Sequence, residues 1–189
     1  RACRRGVAAA LRLPEAGVCI SCTHTHSGPN MVRRPQGVGG GGPLADPDDA
    51  YVASVAERVR AAALAAQAAA VPAALAWTSA EIRGVGTNRH NPDWTTDPAC
   101  SVLAVRARAD DALLGLATFY GMHPTVLHED SRLVSSDFPH YAREHLRAAF
   151  GERTVVCYHN APCGNQSPRH VVRGQTFAEA ERLGNLFGA

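Results

Sequence analysis

Two histidines two residues apart, His24 and His26, sit in the stretch Thr23-His24-Thr25-His26-Ser27-Gly28-Pro29. Neutral imidazole is the commonest metal ligand and the usual proton carrier near neutral pH. The apolar run Val18-Cys19-Ile20-Ser21-Cys22 before them reads as a short buried strand. In an extended chain, side chains at i and i+2 share a face, so both rings would project together from a strand end. A second apolar run, Leu113 to Tyr120, ends in Gly121-Met122-His123-Pro124-Thr125 and delivers His123 in the same way. A third, Thr154 to Tyr158, opens into a polar loop, His159 to His170, that contains Ser167. Long polar loops at strand ends favour function over simple linkage.

His24, His26 and His123 are the best convergent set. Three histidines and one open position suit a catalytic zinc, which lowers the pKa of bound water to about 7. Structural zinc would want four closed ligands. No HExxH is present, so no helical metalloprotease site is offered. Ser167 lacks the GxSxG elbow of the α/β-hydrolases. The reading these residues favour is metal-assisted hydrolysis, with the substrate open. Zinc–nitrogen bonds are about 2.0–2.1 Å, so ring nitrogens of His24 and His123 more than roughly 7 Å apart would exclude shared coordination.

The elements that must position these residues alternate between strand and helix. Ala2 to Leu13 reads as a surface helix. Gly37 to Gly42 lacks phosphate-loop spacing and reads as a lid or surface loop. Asp46 as N-cap and Pro47 at the first helical position predict a helix ending near Ala70, with Val52, Val55 and Val59 on its apolar face. Ala73 to Arg83 reads as a strand that leads into the turn-rich loop Gly84 to Pro92, where Arg89 and His90 are the reactive types. Ser101 to Ala107 and Leu113 to Tyr120, joined by Arg108-Ala109-Asp110-Asp111, predict a hairpin. Pro139 starts a further helix with Asp137 or Ser136 as its cap, and Thr176-Phe177-Ala178-Glu179 has capping-box spacing. The expected class is α/β, a mixed β-sheet core flanked by helices, with no internal boundary over 1–189. Both ends look cut, so a truncated piece of a longer protein is expected.

Composition narrows the functional classes. Of 189 residues, 46% are hydrophobic and 19% charged, which fits a globular chain rather than a disordered one. The formal net charge of +2 comes without a basic stripe, so nucleic acid is not an expected partner. No apolar run is long enough to span a membrane. Six cysteines are too few for a disulfide scaffold at this length. Cys19 and Cys22 read as two small buried residues, because i and i+3 diverge on a strand.

The ordered set Thr23-His24-Thr25-His26-Ser27-Gly28-Pro29, Asn88-Arg89, His123-Pro124-Thr125, Ser135-Ser136-Asp137 and Gly164-Asn165-Gln166-Ser167-Pro168 resembles the neutral/alkaline, non-lysosomal ceramidase family. The likeness runs from Cys22 to about Gly184 and covers part of that family's N-terminal catalytic domain. It implies a zinc-dependent amidohydrolase that cleaves the N-acyl bond of ceramide to sphingosine and a fatty acid. It implies His24 and His123 as zinc ligands, and His26, Arg89 and Ser167 as catalytic residues. The implied partner is a ceramide-like lipid, met at a membrane surface. Two further zinc ligands, a glutamate and a tyrosine, are implied from beyond this chain, so the chain alone is expected to be inactive. Asn165-Gln166 stands where the family has an aspartate and a small residue before the serine. The alternatives are therefore a ceramidase-like hydrolase of another N-acyl or ester substrate, or a non-catalytic binding domain that retains the fold.

Overall fold

A computed structural model describes residues 2–33, 46–128 and 131–189. The expected glycine-rich loop, Gly37 to Gly42, lies outside the described residues. The chain divides into two compact units, one of residues 1–20 and 29–71 and one of residues 21–28 and 72–189.

The first unit pairs helix α1 (Ala2–Leu11) with helix α2 (Asp49–Ala68), with a short 3₁₀ turn at Glu15–Gly17. Val7 and Ala8 are its buried residues on α1. α2 starts two residues later than Pro47 predicts. Asp48 is the cap, its carboxylate accepting the backbone N–H groups of Ala50 and Tyr51 at 2.9 and 3.1 Å. Asp46 instead pairs with Arg33 at 3.2 Å.

The second unit is built on a mixed sheet of strands β1 (Ala73–Glu81), β3 (Ala99–Ala107), β4 (Leu113–Tyr120) and β5 (Val155–Asn160), in the order β1-β3-β4-β5. β1, β3 and β4 run antiparallel, which confirms the hairpin. β5 joins β4 in parallel after helix α3 (Phe138–Phe150), since a parallel pair needs a crossover. Helix α4 (Phe177–Gly188) packs beside α3. This is the α/β architecture that the alternating pattern predicts, a mixed sheet flanked by helices.

Register explains where the core lies. Cys100, Tyr120 and Asn160 are aligned across the sheet, as are Val102, Thr118 and Tyr158, and these side chains face the helices. Phe187 of α4 sits between Tyr120 and Tyr158, with ring centroids at 5.4 and 5.7 Å, and Phe138 of α3 meets Tyr158 edge-on at 5.8 Å. Each such buried aromatic or aliphatic side chain contributes about 1.5–3 kcal/mol. Along α4 the inner stripe is Ala180, Leu183, Gly184 and Phe187, whereas Phe177 is exposed. Tyr158 is buried and its phenol pKa is raised, because burial disfavours the charged form. β5 buries one face only: Val156 and Tyr158 are in, Val155 and Cys157 out. On that outer face Phe119 stacks on His159 at 4.7 Å, and Trp77 meets Phe119 at 5.6 Å.

One expected strand is absent. Val18 to Cys22 adopts no strand pairing, and Cys19 and Cys22 are exposed free thiols, not buried ones. An apolar run becomes a strand only where a sheet edge accepts it, so alternation alone did not decide this segment. Two short strands went unforeseen. β2 (Thr87–Asn88) pairs antiparallel with β6 (Gln166–Ser167), and a 3₁₀ turn at Pro168–His170 follows.

Candidate metal centre

His24 and His26 lie in the segment 21–28, which is fixed by its alternate residues. Thr25 Oγ1 donates to the Ser135 carbonyl at 2.7 Å and accepts the Ser27 N–H at 3.2 Å. The Ser135 N–H donates to the Ser27 carbonyl at 2.8 Å. Thr25 and Ser27 therefore hold the segment while the two histidines point elsewhere. The rings do project together, as expected, but from a latched loop rather than a strand. His24 has φ +65°, a left-handed conformation uncommon for a residue with a Cβ. Strain of this kind costs of the order of 1–3 kcal/mol and clusters at functional sites.

His123 reaches the same point from the sheet, three residues past the end of β4. It is 7% exposed. Its Nδ1 lies 2.9 Å from the Gln166 carbonyl, and its backbone N–H donates to that same oxygen at 3.1 Å. A carbonyl only accepts, so Nδ1 carries the proton and Nε2 presents its lone pair.

The three histidines converge. Their centroids are 5.1 Å apart for His24–His26, 4.8 Å for His24–His123 and 5.6 Å for His26–His123. One ring nitrogen from each falls within 4.8 Å of the others. The Nε2 atoms of His24 and His26 are 3.4 Å apart. Tetrahedral zinc with bonds of about 2.0–2.1 Å spaces its ligand nitrogens by about 3.3 Å. The donor set therefore fits a borderline metal such as zinc after a small closure, and the distances do not exclude shared coordination by His24 and His123.

Arg89 and Ser167 arrive on the β2–β6 ribbon. Thr87 pairs with Ser167 and Asn88 with Gln166, and the Arg89 N–H donates to the Asn165 carbonyl at 2.7 Å. The Gln166 carbonyl of the same ribbon also anchors His123. Arg89 Nε is buried and has no hydrogen-bond partner among the described residues. A buried donor left unpaired costs about 1–3 kcal/mol. Ser167 is 5% exposed, and its Oγ accepts the Arg169 N–H at 3.3 Å, capping the 3₁₀ turn. Gly86 lets the ribbon close: a Cβ there would lie 2.2 Å from Met122 Sδ and 2.7 Å from the Ser167 carbonyl.

Residues that sequence reasoning missed are those that hold the cluster: Thr25, Ser27 and Gln166. Asp137, expected only as a cap, does more. Its carboxylate accepts the N–H groups of Phe138 at 2.8 Å and Leu127 at 2.9 Å, so it ties the α3 start to the chain that follows His123. Its pKa is raised by burial, against the lowering effect of those hydrogen bonds. His140 is exposed and His145 half-buried on α3. A cavity of about 180 Å³ is lined by Gln166, Ile82, Thr87, Asp97, Tyr120 and Met122 among others. None of the three histidines lines it, and it is smaller than the ~300 Å³ at which small-molecule pockets begin.

The arrangement is an α/β scaffold with a three-histidine cluster, two of them on a latched loop and one just past the end of β4. Solved structures that share the fold include two ceramidases. One is a ceramidase complexed with C2, at 22% sequence identity and TM-score 0.75, covering 98% of this chain. The other is neutral ceramidase from Pseudomonas aeruginosa, at 21% identity and TM-score 0.75, covering 99%. The chain spans about a third of the length of each, 32% and 33%. No family model matches the sequence. No curated protein matches it either.

Proposed function

We propose that this chain forms part of the catalytic domain of a zinc-dependent amidohydrolase that cleaves the N-acyl bond of a ceramide-like lipid. The observation that carries the reading is the convergence of one ring nitrogen each from His24, His26 and His123 within 4.8 Å, on a fold shared with ceramidases. His24 and His123 are the proposed ligands. A zinc ion held there supplies polarisation of the scissile carbonyl and a lowered pKa for water.

The chain's own residues supply the rest. In this reading His26, whose Nε2 lies 3.4 Å from that of His24, carries a proton to the leaving nitrogen, which departs poorly as an amide anion. The Arg89 Nε–H, without a hydrogen-bond partner among the described residues, is in this reading a donor for the oxyanion that forms as the carbonyl carbon becomes tetrahedral. Ser167 offers a hydroxyl on the strand next to Arg89. Thr25, Ser27 and Ser135 hold the His24–His26 segment in register while the C–N bond breaks. Asn165-Gln166, at the position where ceramidases carry an acidic residue, is the feature that favours a different N-acyl or ester substrate as the second reading.

The test is fatty-acid release from ceramide by the full-length protein, before and after chelation and zinc return, with an N-acyl and ester lipid panel beside it. Zinc-restored ceramide hydrolysis, reduced roughly a thousand-fold in His24→Ala, supports the proposal. Hydrolysis confined to another lipid supports the second reading. Zinc-loaded protein that hydrolyses none of them overturns both.

A further inference from the structure

We infer that Gln166 is a positioning residue for His123, acting through its own carbonyl, an inference that rests on the reading of His123 as a metal ligand. One oxygen, that of Gln166, receives both the His123 backbone N–H at 3.1 Å and the ring Nδ1–H at 2.9 Å. It therefore fixes where the chain leaves β4 and which ring nitrogen faces the other two histidines. Groups that orient a ligating histidine in this way matter nearly as much as the ligand.

The carbonyl is held in turn by the residue's own side chain. Gln166 is 2% exposed. Its amide Nε2 donates to the Gly121 carbonyl at 2.7 Å, and its Oε1 accepts the Asp97 N–H at 2.9 Å. Its backbone N–H donates to the Cys163 carbonyl at 2.9 Å. Gly121 stands two residues before His123, so one buried amide fastens both the carbonyl and the chain that delivers the ring. The approach is close enough that a Cβ on Gly121 would lie 3.0 Å from Gln166 Nε2.

This task needs a donor and an acceptor on one planar group. An ionised glutamate offers only acceptors and would set a lone pair against the Gly121 carbonyl. Methionine fills the space and offers neither bond. A merely structural glutamine would affect stability alone. A positioning glutamine also sets the His123 tautomer and the metal affinity of folded protein.

The test uses full-length protein, wild type against Gln166→Glu and Gln166→Met. Cobalt(II) and zinc isotherms, the visible spectrum of the cobalt form, and nitrogen-detected histidine tautomers of metal-free protein are measured on the folded fraction. Expected are a roughly ten-fold weaker metal affinity and an altered cobalt spectrum in both variants, with His123 as the Nδ1–H tautomer in wild type and a mixture in the variants. Variants that are less stable but keep wild-type affinity and tautomer overturn the inference and leave the amidohydrolase reading intact. Wild type that binds neither metal overturns both. Should neither variant fold, the wild-type tautomer decides: Nδ1–H upholds the inference and Nε2–H overturns it.

Discussion

The Nε2 atoms of His24 and His26 lie 3.4 Å apart, the separation of two corners of a zinc tetrahedron, although only His24 is assigned as a ligand. The two histidines are separable by what their loss removes. His24→Ala is expected to weaken zinc binding by a hundred-fold or more, on the order of 3 kcal/mol or above. His26→Ala is expected to leave zinc affinity within a few-fold and to lower turnover by roughly 10²–10⁴. Isotherms and kinetics on the two variants check this. A comparable affinity loss in His26→Ala would make His26 a ligand.

The φ of +65° at His24 makes a second prediction, about stability rather than chemistry. Glycine adopts this conformation freely, whereas alanine is penalised by its Cβ. Both His24→Gly and His24→Ala lose the ring. His24→Gly should nonetheless be the more stable metal-free variant by roughly 0.5–1 kcal/mol, after allowing for the entropy glycine gains in the unfolded chain. Denaturant melts of the two variants read the difference directly. An alanine variant as stable as the glycine variant would show that the segment relaxes without strain.

Gly121 marks the point where β4 hands over to His123. A Cβ there would lie 2.4 Å from the Pro162 carbonyl oxygen, a backbone atom that cannot swing aside. Gly121→Ala is therefore expected to cost about 2–3 kcal/mol and to shift the His123 backbone. Thermal melts and the His123 amide resonance measure both effects. A loss under ~0.5 kcal/mol would mean that the Pro162 loop yields.

Glu179 supplies a pH-dependent term away from the site. Its carboxylate bonds to Arg182 and to the Arg173 N–H, and its pKa falls from an ordinary 4.5 to about 2, the Arg182 hydrogen bond being the largest cause. A lowered folded-state pKa stabilises above the unfolded value and is lost as pH falls through the folded value. Glu179→Gln should thus be less stable by about 1 kcal/mol at neutral pH, discounted for the partly exposed arginine. That gap should narrow between pH 4.5 and 2. An unchanged gap across that range would assign the effect to packing.

Much of the scaffold was legible because its signals are local. The Asp137-Phe138-Pro139 start of α3, the Thr176 cap of α4 and the β3–β4 hairpin follow from capping, turn chemistry and periodicity. The histidine set was legible because His24 and His26 lie two residues apart and His123 closely follows a strand, although a latched loop stands where the first pair's strand was expected. What stayed hidden depends on contacts distant in sequence. A two-residue strand such as β2 has no periodicity to read and exists because β6 pairs with it. Gln166 stood out only as a departure from the ceramidase pattern, since nothing local marks a glutamine whose partners are Gly121, Asp97 and His123. Val18 to Cys22 failed in the opposite sense, with a good local pattern and no partner strand among the described residues.

The central claim is that His24 and His123 hold one metal ion together. Its most direct test is zinc content of full-length protein after reconstitution and dialysis, for wild type, His24→Ala and His123→Ala, with circular dichroism to confirm the fold. The account predicts about one equivalent in wild type and close to none in either variant. Folded wild type that retains no zinc, or two variants that both keep a full equivalent, would contradict it.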